Sequence, residues 1–315
     1  MALNKFTFAG GWVLGSQIAF QTAYCGYRVS IWLRSEESIQ RTREKLNSIK
    51  ETYEQTINLM DTPEGKSKEN WANGIASLNE FNKEECLLKV SRALMNITLS
   101  TDLKACLNDA DLLIESIIED DKEKINFYKM VSPLLPEKTV IVTNSSTFLP
   151  SKFAKYTGRP KMFLSLHFAN AIWKNNTAEI MAHKDTDNGV FMQIMEFANL
   201  IKMVAIPVSK ENPGYLVNSM LIPFLFSALD LYVKGTSDYK SIDTAWKLAT
   251  GMQHGPFELL DRVGIPTAYK IASKYLKIPS FIAPYNFKGI CKLLKSYVDQ
   301  GKYGVQSGEG FYSYK

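Results

Sequence analysis

Short apolar runs rich in β-branched and aromatic residues recur through the first 209 positions. Between them lie longer stretches in which apolar residues return every three or four places. The runs Lys5–Ala9, Tyr27–Leu33, Asn96–Leu99, Ala110–Glu115, Thr139–Thr143, Met162–Leu166, Ala178–Met181 and Met203–Val208 predict strands. Ser16–Tyr24, Asp102–Leu107, Asp121–Leu135 and Asn188–Ile201 predict helices between them. Strands alternating with helices predict an α/β domain built on a largely parallel sheet. Glu36–Leu94, charged and helix-forming, is broken at Thr62-Pro63-Glu64-Gly65 and predicts a helical excursion from that sheet, either a flap or a solvated pair. A hinge-like break at Lys210-Glu211-Asn212-Pro213-Gly214 ends the alternation. Beyond it the helical period takes over, at Tyr215–Gly235, Ile242–Ala249 and Phe257–Val263. Residues 1–209 are therefore expected to form the α/β domain and 210–315 an all-helical one.

The first strand runs into Gly10-Gly11-Trp12-Val13-Leu14-Gly15 and then a helix and a second strand, the setting that a dinucleotide-binding glycine turn requires. Glycines are expected at the first, third and sixth places of that turn; here the third is Trp12. An indole there either points away or obstructs the phosphates. The end of the second strand departs as well, since Leu33 stands where an acid normally holds the adenosine ribose. The sequence Leu33-Arg34-Ser35 fits a 2′-phosphate, which favours NADP, or the plain start of a solvated helix.

Composition narrows the setting. With 45% hydrophobic and 22% charged residues the chain is ordinary for a globular protein, and no apolar run approaches the length of a membrane span. Its net charge of +5 is spread without a basic block, so no nucleic-acid partner is expected. The four cysteines are scattered, which predicts reduced thiols and no metal site. The opening Met1–Lys5 leads directly into a strand pattern with no signal peptide, so a cytoplasmic protein is expected.

Candidate chemistry concentrates between Thr139 and His183. One strand empties into Asn144-Ser145-Ser146-Thr147, the next ends at His167-Phe168-Ala169-Asn170, and a third carries Glu179. Ligands of open parallel sheets bind at the carboxyl ends of strands. A histidine there takes or gives a proton near neutral pH, and a carboxylate behind it fixes the tautomer. A hydrogen-bonded structural histidine fits the same spacing.

Taken together these segments resemble the 3-hydroxyacyl-CoA dehydrogenase family over essentially the whole chain. The resemblance rests on Asn144-Ser145-Ser146, His167-Phe168-Ala169-Asn170, Asn212-Pro213-Gly214-Tyr215-Leu216-Val217-Asn218, Gly255-Pro256-Phe257-Glu258-Leu259-Leu260-Asp261 and Ser307-Gly308-Glu309-Gly310-Phe311-Tyr312. The wording around His167 and Asn175-Asn176-Thr177-Ala178-Glu179 is similar to a subgroup that includes diketoreductase, which reduces β-keto esters. It implies a Rossmann-type dinucleotide-binding domain followed by an all-helical C-terminal domain that forms a homodimer. It also implies hydride transfer at carbon 3 of a 3-hydroxyacyl-CoA, a 3-ketoacyl-CoA or a related β-keto ester, within fatty-acid metabolism. His167 would be the acid/base, Glu179 its orienting carboxylate, and Ser146 and Asn218 the groups on the substrate oxygen. NAD, with NADP left open by positions 33–35, would be held by Gly10, Gly11, Trp12, Val13, Leu14, Gly15, Leu33, Arg34, Glu119, Lys124 and Asn144. A second reading stands beside this one. Trp12 and Leu33 equally suit a degenerate relative that keeps the fold and dimer but binds nucleotide weakly.

Overall fold

The computed structural model describes residues 3–314. All eight predicted strands form, most within a residue or two of the predicted limits: β1 (Lys5–Ala9), β2 (Arg28–Trp32), β3 (Ile97–Ser100), β4 (Leu112–Glu115), β5 (Val140–Thr143), β6 (Phe163–Phe168), β7 (Thr177–Met181) and β8 (Val204–Val208). They make one sheet in the order β3-β2-β1-β4-β5-β6-β7-β8. Every pairing is parallel except β6 with β7. The central strands β4, β5 and β6 are buried throughout, which is why they read as continuous apolar runs rather than alternating ones. Strand order reverses between β1 and β4, and a crevice at the strand ends opens at such a reversal.

The first helix, α1 (Val13–Tyr24), starts three residues before the predicted Ser16. Trp12 is its N-cap residue, in extended conformation with φ −70° and ψ 171°. The turn is therefore only Gly10–Trp12, and Gly15 lies inside the helix. From Gly15 to Tyr24 the helix is buried on all sides, so it carries no polar stripe.

The excursion between β2 and β3 consists of α2 (Glu36–Met60) and α3 (Lys83–Met95). It is neither a flap nor a solvated pair. Leu46, Ile49, Tyr53, Ile57 and Met60 bury one face of α2 in the main core. Gln21 on α1 fastens the connecting loop by donating through Nε2 to Gly74 O at 2.8 Å and Ile201 O at 2.9 Å, while Tyr53 donates its hydroxyl to Gln21. The remaining helices of the sheet region are α4 (Leu103–Leu107), α5 (Asp121–Val131) and α6 (Asn188–Leu200).

The chain divides into two compact units at the Leu216–Val217 junction, seven residues beyond the Ser209 end expected from the Lys210–Gly214 break. The segment Lys210–Leu216 stays with the sheet because Leu216 N donates to Glu179 and the Tyr215 hydroxyl donates to Ser145 O. The second unit is helical: α7 (Val217–Val233), α8 (Tyr239–Thr250), α9 (Pro256–Val263), α10 (Ile265–Lys274) and α11 (Phe287–Asp299). Buried Asp261, at the end of the Gly255–Asp261 motif, accepts from Phe311 N at 3.0 Å and Tyr312 N at 2.9 Å. A Cβ on Gly310 would lie 2.1 Å from Asp261 Oδ1, so the two motifs are complementary halves of one lock on the chain's end. Among the described residues no helix is long and apolar enough to cross a membrane.

Candidate active site

Antiparallel pairing of β6 with β7 sets His167 directly opposite Glu179. Residues so paired project to the same face of a sheet. His167 therefore lies inside its strand, and Glu179, the middle residue of β7, reaches it because β7 runs the other way. His167 Nδ1 lies 3.0 Å from Glu179 Oε2, and Nε2 lies 3.1 Å from Ser146 Oγ. Both the imidazole and the carboxylate are over nine-tenths buried. The second carboxylate oxygen accepts from Leu216 N at 2.8 Å. An ionised carboxylate only accepts, so the neutral imidazole carries its proton on Nδ1 and presents the Nε2 lone pair to Ser146. The ring of Tyr215 lies over the imidazole, centroids 4.5 Å apart and 15° from parallel. Its backbone sits at φ 54°, sparsely populated for a residue with a side chain, and the bond from its hydroxyl to Ser145 O at 2.8 Å helps hold it there.

A second polar cluster supports the Ser146 loop. Glu119 accepts from Ser145 Oγ, from Thr147 N at 3.1 Å and from Thr147 Oγ1 at 2.8 Å, and it faces Lys124 Nζ at 3.4 Å. Burial pushes the Glu119 carboxyl up, but the Lys124 ammonium and the hydrogen bonds outweigh it and hold the group below the ordinary glutamate range. Behind this lies Glu115, fully buried, which accepts from Lys124 Nζ at 2.6 Å, Tyr128 Oη at 2.6 Å, Thr143 Oγ1 at 2.8 Å and Ile117 N at 2.8 Å. Its charge is thus paired and its lone pairs are satisfied, the condition under which a buried carboxylate is tolerated.

Two cavities open at the strand-order reversal. The smaller, about 310 Å³, is lined by Leu14, Gly15, Glu119, Lys124, Asn144 and Ser146 among others. The larger, about 500 Å³, is lined by Gly10, Gly11, Leu33 and Arg34 and by the first turns of α2. Trp12, Ile117 and Ile118 line both, so the two adjoin. The backbone approach that a dinucleotide needs is present. Gly10 has φ +103° and a Cβ there would lie 2.6 Å from Ser116 O, while one on Gly15 would lie 2.8 Å from Gly10 O. Trp12 is 60% exposed, with Lys45 Nζ 5.5 Å from its ring centroid. It lines both cavities where they adjoin. The residues present fit a nicotinamide dinucleotide.

Of the residues singled out in the sequence, His167, Glu179 and Ser146 come together, and Asn144 stands beside them, accepting weakly from Phe168 N at 3.4 Å. Gly10, Gly11, Trp12, Leu14, Gly15, Leu33, Arg34, Glu119 and Lys124 line the two cavities. Val13 lines neither and is exposed in the first turn of α1. Asn218 sits half-buried in the first turn of α7, in the helical unit. Sequence reading missed Glu115, Tyr128, Thr143 and the role of Tyr215. The only signal was a charged Lys124 at a position that turns out to be buried.

A sheet with this strand order, a glycine turn at its reversal and a buried histidine–carboxylate pair defines the class of dinucleotide-dependent oxidoreductases. Residues 5–212 match the profile described as 3-hydroxyacyl-CoA dehydrogenase, NAD binding domain, and residues 214–314 that of the same family's C-terminal domain. The chain belongs to the 3-hydroxyacyl-CoA dehydrogenase family. It is 30% identical over 314 residues to the human mitochondrial hydroxyacyl-coenzyme A dehydrogenase, covering 99% of this chain and 92% of that protein. It is 27% identical to a 3-hydroxybutyryl-CoA dehydrogenase of Mycobacterium tuberculosis, covering 99% of each. A diketoreductase solved in a study of dual catalysis of dicarbonyl compounds is 37% identical, with a TM-score of 0.85 over the whole of both chains. The family's cofactor is a nicotinamide dinucleotide. The reading as a degenerate relative gains no support, since His167, Glu179 and Ser146 are assembled and both cavities are open.

Proposed function

We propose that this chain transfers a hydride between a nicotinamide dinucleotide and carbon 3 of a 3-hydroxyacyl-CoA, a 3-ketoacyl-CoA or a related β-keto ester, with His167 as the acid/base. The placement of His167 between Glu179 and Ser146, at 3.0 and 3.1 Å, carries this reading. In the oxidative direction His167 Nε2 takes the hydroxyl proton, and Glu179 stabilises the imidazolium that results. In the reductive direction the imidazolium returns the proton to the carbonyl oxygen. A bound nicotinamide accepts or supplies the hydride. Ser146 Oγ donates to the same substrate oxygen. Glu119 and Lys124 keep the Ser146 loop in place beside the cavity they line. Positioned acid/base catalysis of this kind contributes about 10² to 10⁴ in rate.

The same proposal includes a homodimer through the helical unit, supported by exposed Met220, Leu248, Met252 and Phe281. Light scattering of the purified chain checks it. A cytoplasmic setting and a place in fatty-acid metabolism belong to the proposal too. The four free thiols suit the former, although the human relative is named mitochondrial, so cell fractionation decides.

His167→Ala tests the reaction. It is expected to abolish reduction of acetoacetyl-CoA and of a β-keto ester, while nicotinamide fluorescence still titrates to saturation. Rates comparable to those of the unaltered protein would remove His167 from its role, and turnover of only one substrate would assign the acyl group. The departure at Leu33 bears on the form of the dinucleotide and that at Trp12 on how tightly it binds, rather than on this chemistry.

A further inference from the structure

At the end of β2, where an acid would hold ribose hydroxyls, Leu33 is buried and offers the larger cavity only apolar surface. Three cations stand around that cavity instead, Arg34, Arg41 and Lys45, with the hydroxyl of Ser38 among them. Arg41 Nη2 donates to Ser38 Oγ at 2.9 Å. Lys45 Nζ donates to Gly11 O at 3.1 Å, which commits it to the glycine turn. Ser35 caps α2, accepting from Ser38 N, so the positive end of the helix dipole adds to the same field. The one acid in the lining is Glu123, whose Oε2 lies 3.4 Å from Arg34 Nη1. Glu36 and Glu37, in the first turn of α2, do not line the cavity; Glu36 accepts from Thr101 Oγ1 at 3.4 Å, and Glu37 is held by Ser35 and, more weakly, by the charge of Arg41 four residues on.

Converging cations repel one another unless an anion joins them. Glu123 and Glu37 are weak competitors, because the Arg34–Glu123 pair is half exposed on both sides, Glu37 is exposed as well, and such surface pairs contribute little. A phosphate monoester, with a charge of about −1.5 to −2 and three acceptor oxygens, satisfies two guanidinium groups and a hydroxyl at once.

We propose that this cavity is a 2′-phosphate site: Arg34, Arg41 and Ser38 hold the phosphate of NADP(H), and Leu33 removes the carboxylate that would repel it. The proposal rests on the reading of the chain as a nicotinamide-dependent oxidoreductase. Residues 33 and 34 set cofactor form together with residues 38 and 41, one turn further along α2. A coenzyme A substrate carries a phosphomonoester on its own adenosine ribose, so the 2′ and 3′ positions are separated in the test.

The experiment is a fluorescence titration of the intact protein with NADPH and with NADH at low and moderate salt, with 2′,5′-ADP and 3′,5′-ADP as competitors. Arg34→Ala, Arg41→Ala and Leu33→Asp are titrated alongside, and thermal melts establish that each is folded. NADPH is expected to bind at least tenfold more tightly than NADH, with a preference that shrinks as salt rises. Each arginine variant is expected to lower the NADPH-to-NADH affinity ratio roughly tenfold, and Leu33→Asp to turn the preference toward NADH. Competition by 2′,5′-ADP in preference to 3′,5′-ADP is expected. NADH bound as tightly as NADPH, with ratios unchanged in the arginine variants, overturns the 2′-phosphate site and leaves the oxidoreductase reading intact. Preference for 3′,5′-ADP overturns it in favour of the acyl carrier. Failure to bind either dinucleotide overturns both readings.

Discussion

Replacing Glu179 by glutamine tests the proposed proton path at its most sensitive point. Two effects follow from the geometry, and both act in the same direction. Glutamate Oε1 accepts from Leu216 N at 2.8 Å, so a glutamine is best satisfied with its carbonyl oxygen there and its amide NH₂ turned toward His167 Nδ1. The imidazole must then carry its proton on Nε2, facing Ser146, where it cannot take a proton from an alcohol. The charge is lost as well. Nδ1 and Oε2 are 3.0 Å apart with both side chains at least nine-tenths buried. Unit charges about 4 Å apart at an effective dielectric constant of about 20 attract by about 4 kcal/mol. Losing that stabilisation of the imidazolium slows turnover by about a thousandfold. The assay is steady-state oxidation of a 3-hydroxyacyl-CoA, followed by nicotinamide absorbance at saturating cofactor, with a thermal melt to establish folding. A folded variant that keeps more than about a tenth of the rate would refute the reasoning.

Other expectations follow from the supporting clusters. Lys124→Met leaves the fully buried Glu115 without its cation, and breaking a buried pair from one side costs about 3–5 kcal/mol; urea denaturation checks it, and a loss under about 1 kcal/mol would contradict the account. The Glu119 carboxyl is depressed when folded, so its contribution to stability is present above the ordinary glutamate range and is lost as pH falls through the lower folded value. Melting temperature is accordingly expected to fall with acidification just below that range and to lose this slope in Glu119→Gln; equal slopes would refute it. Trp12→Gly opens the junction of the two cavities and places a tolerated residue at the N-cap of α1, so cofactor affinity is expected to rise a few-fold without loss of stability. Unchanged or weaker binding would show that the indole does not restrict the site.

The strands were legible because burial on both faces leaves little room for anything but Val, Ile, Leu and Phe in β4 to β6. The start of α1 was not, because glycines at positions 10, 11 and 15 read as one long turn while the third of them is a packing position within the helix. His167 and Ser146 were visible as polar groups ending apolar runs. The pairing of His167 with Glu179 depends on β7 reversing direction, and no local pattern specifies that. Tyr215, Glu115 and Arg41 were missed for a related reason. Each meets its partners from a distant segment or a different turn, and in the sequence each looks like an ordinary aromatic, strand-end or surface residue.

The central claim is direct hydride delivery to carbon 3, and isotope transfer tests it without recourse to any variant. The protein is supplied with reduced dinucleotide deuterated at the hydride-donating carbon of the nicotinamide, together with acetoacetyl-CoA or a β-keto ester. Mass spectrometry then locates the label in the product. One deuterium bound to carbon 3 is the predicted result. Product without the label, or no product from any substrate of this class while the dinucleotide is bound, would contradict the account.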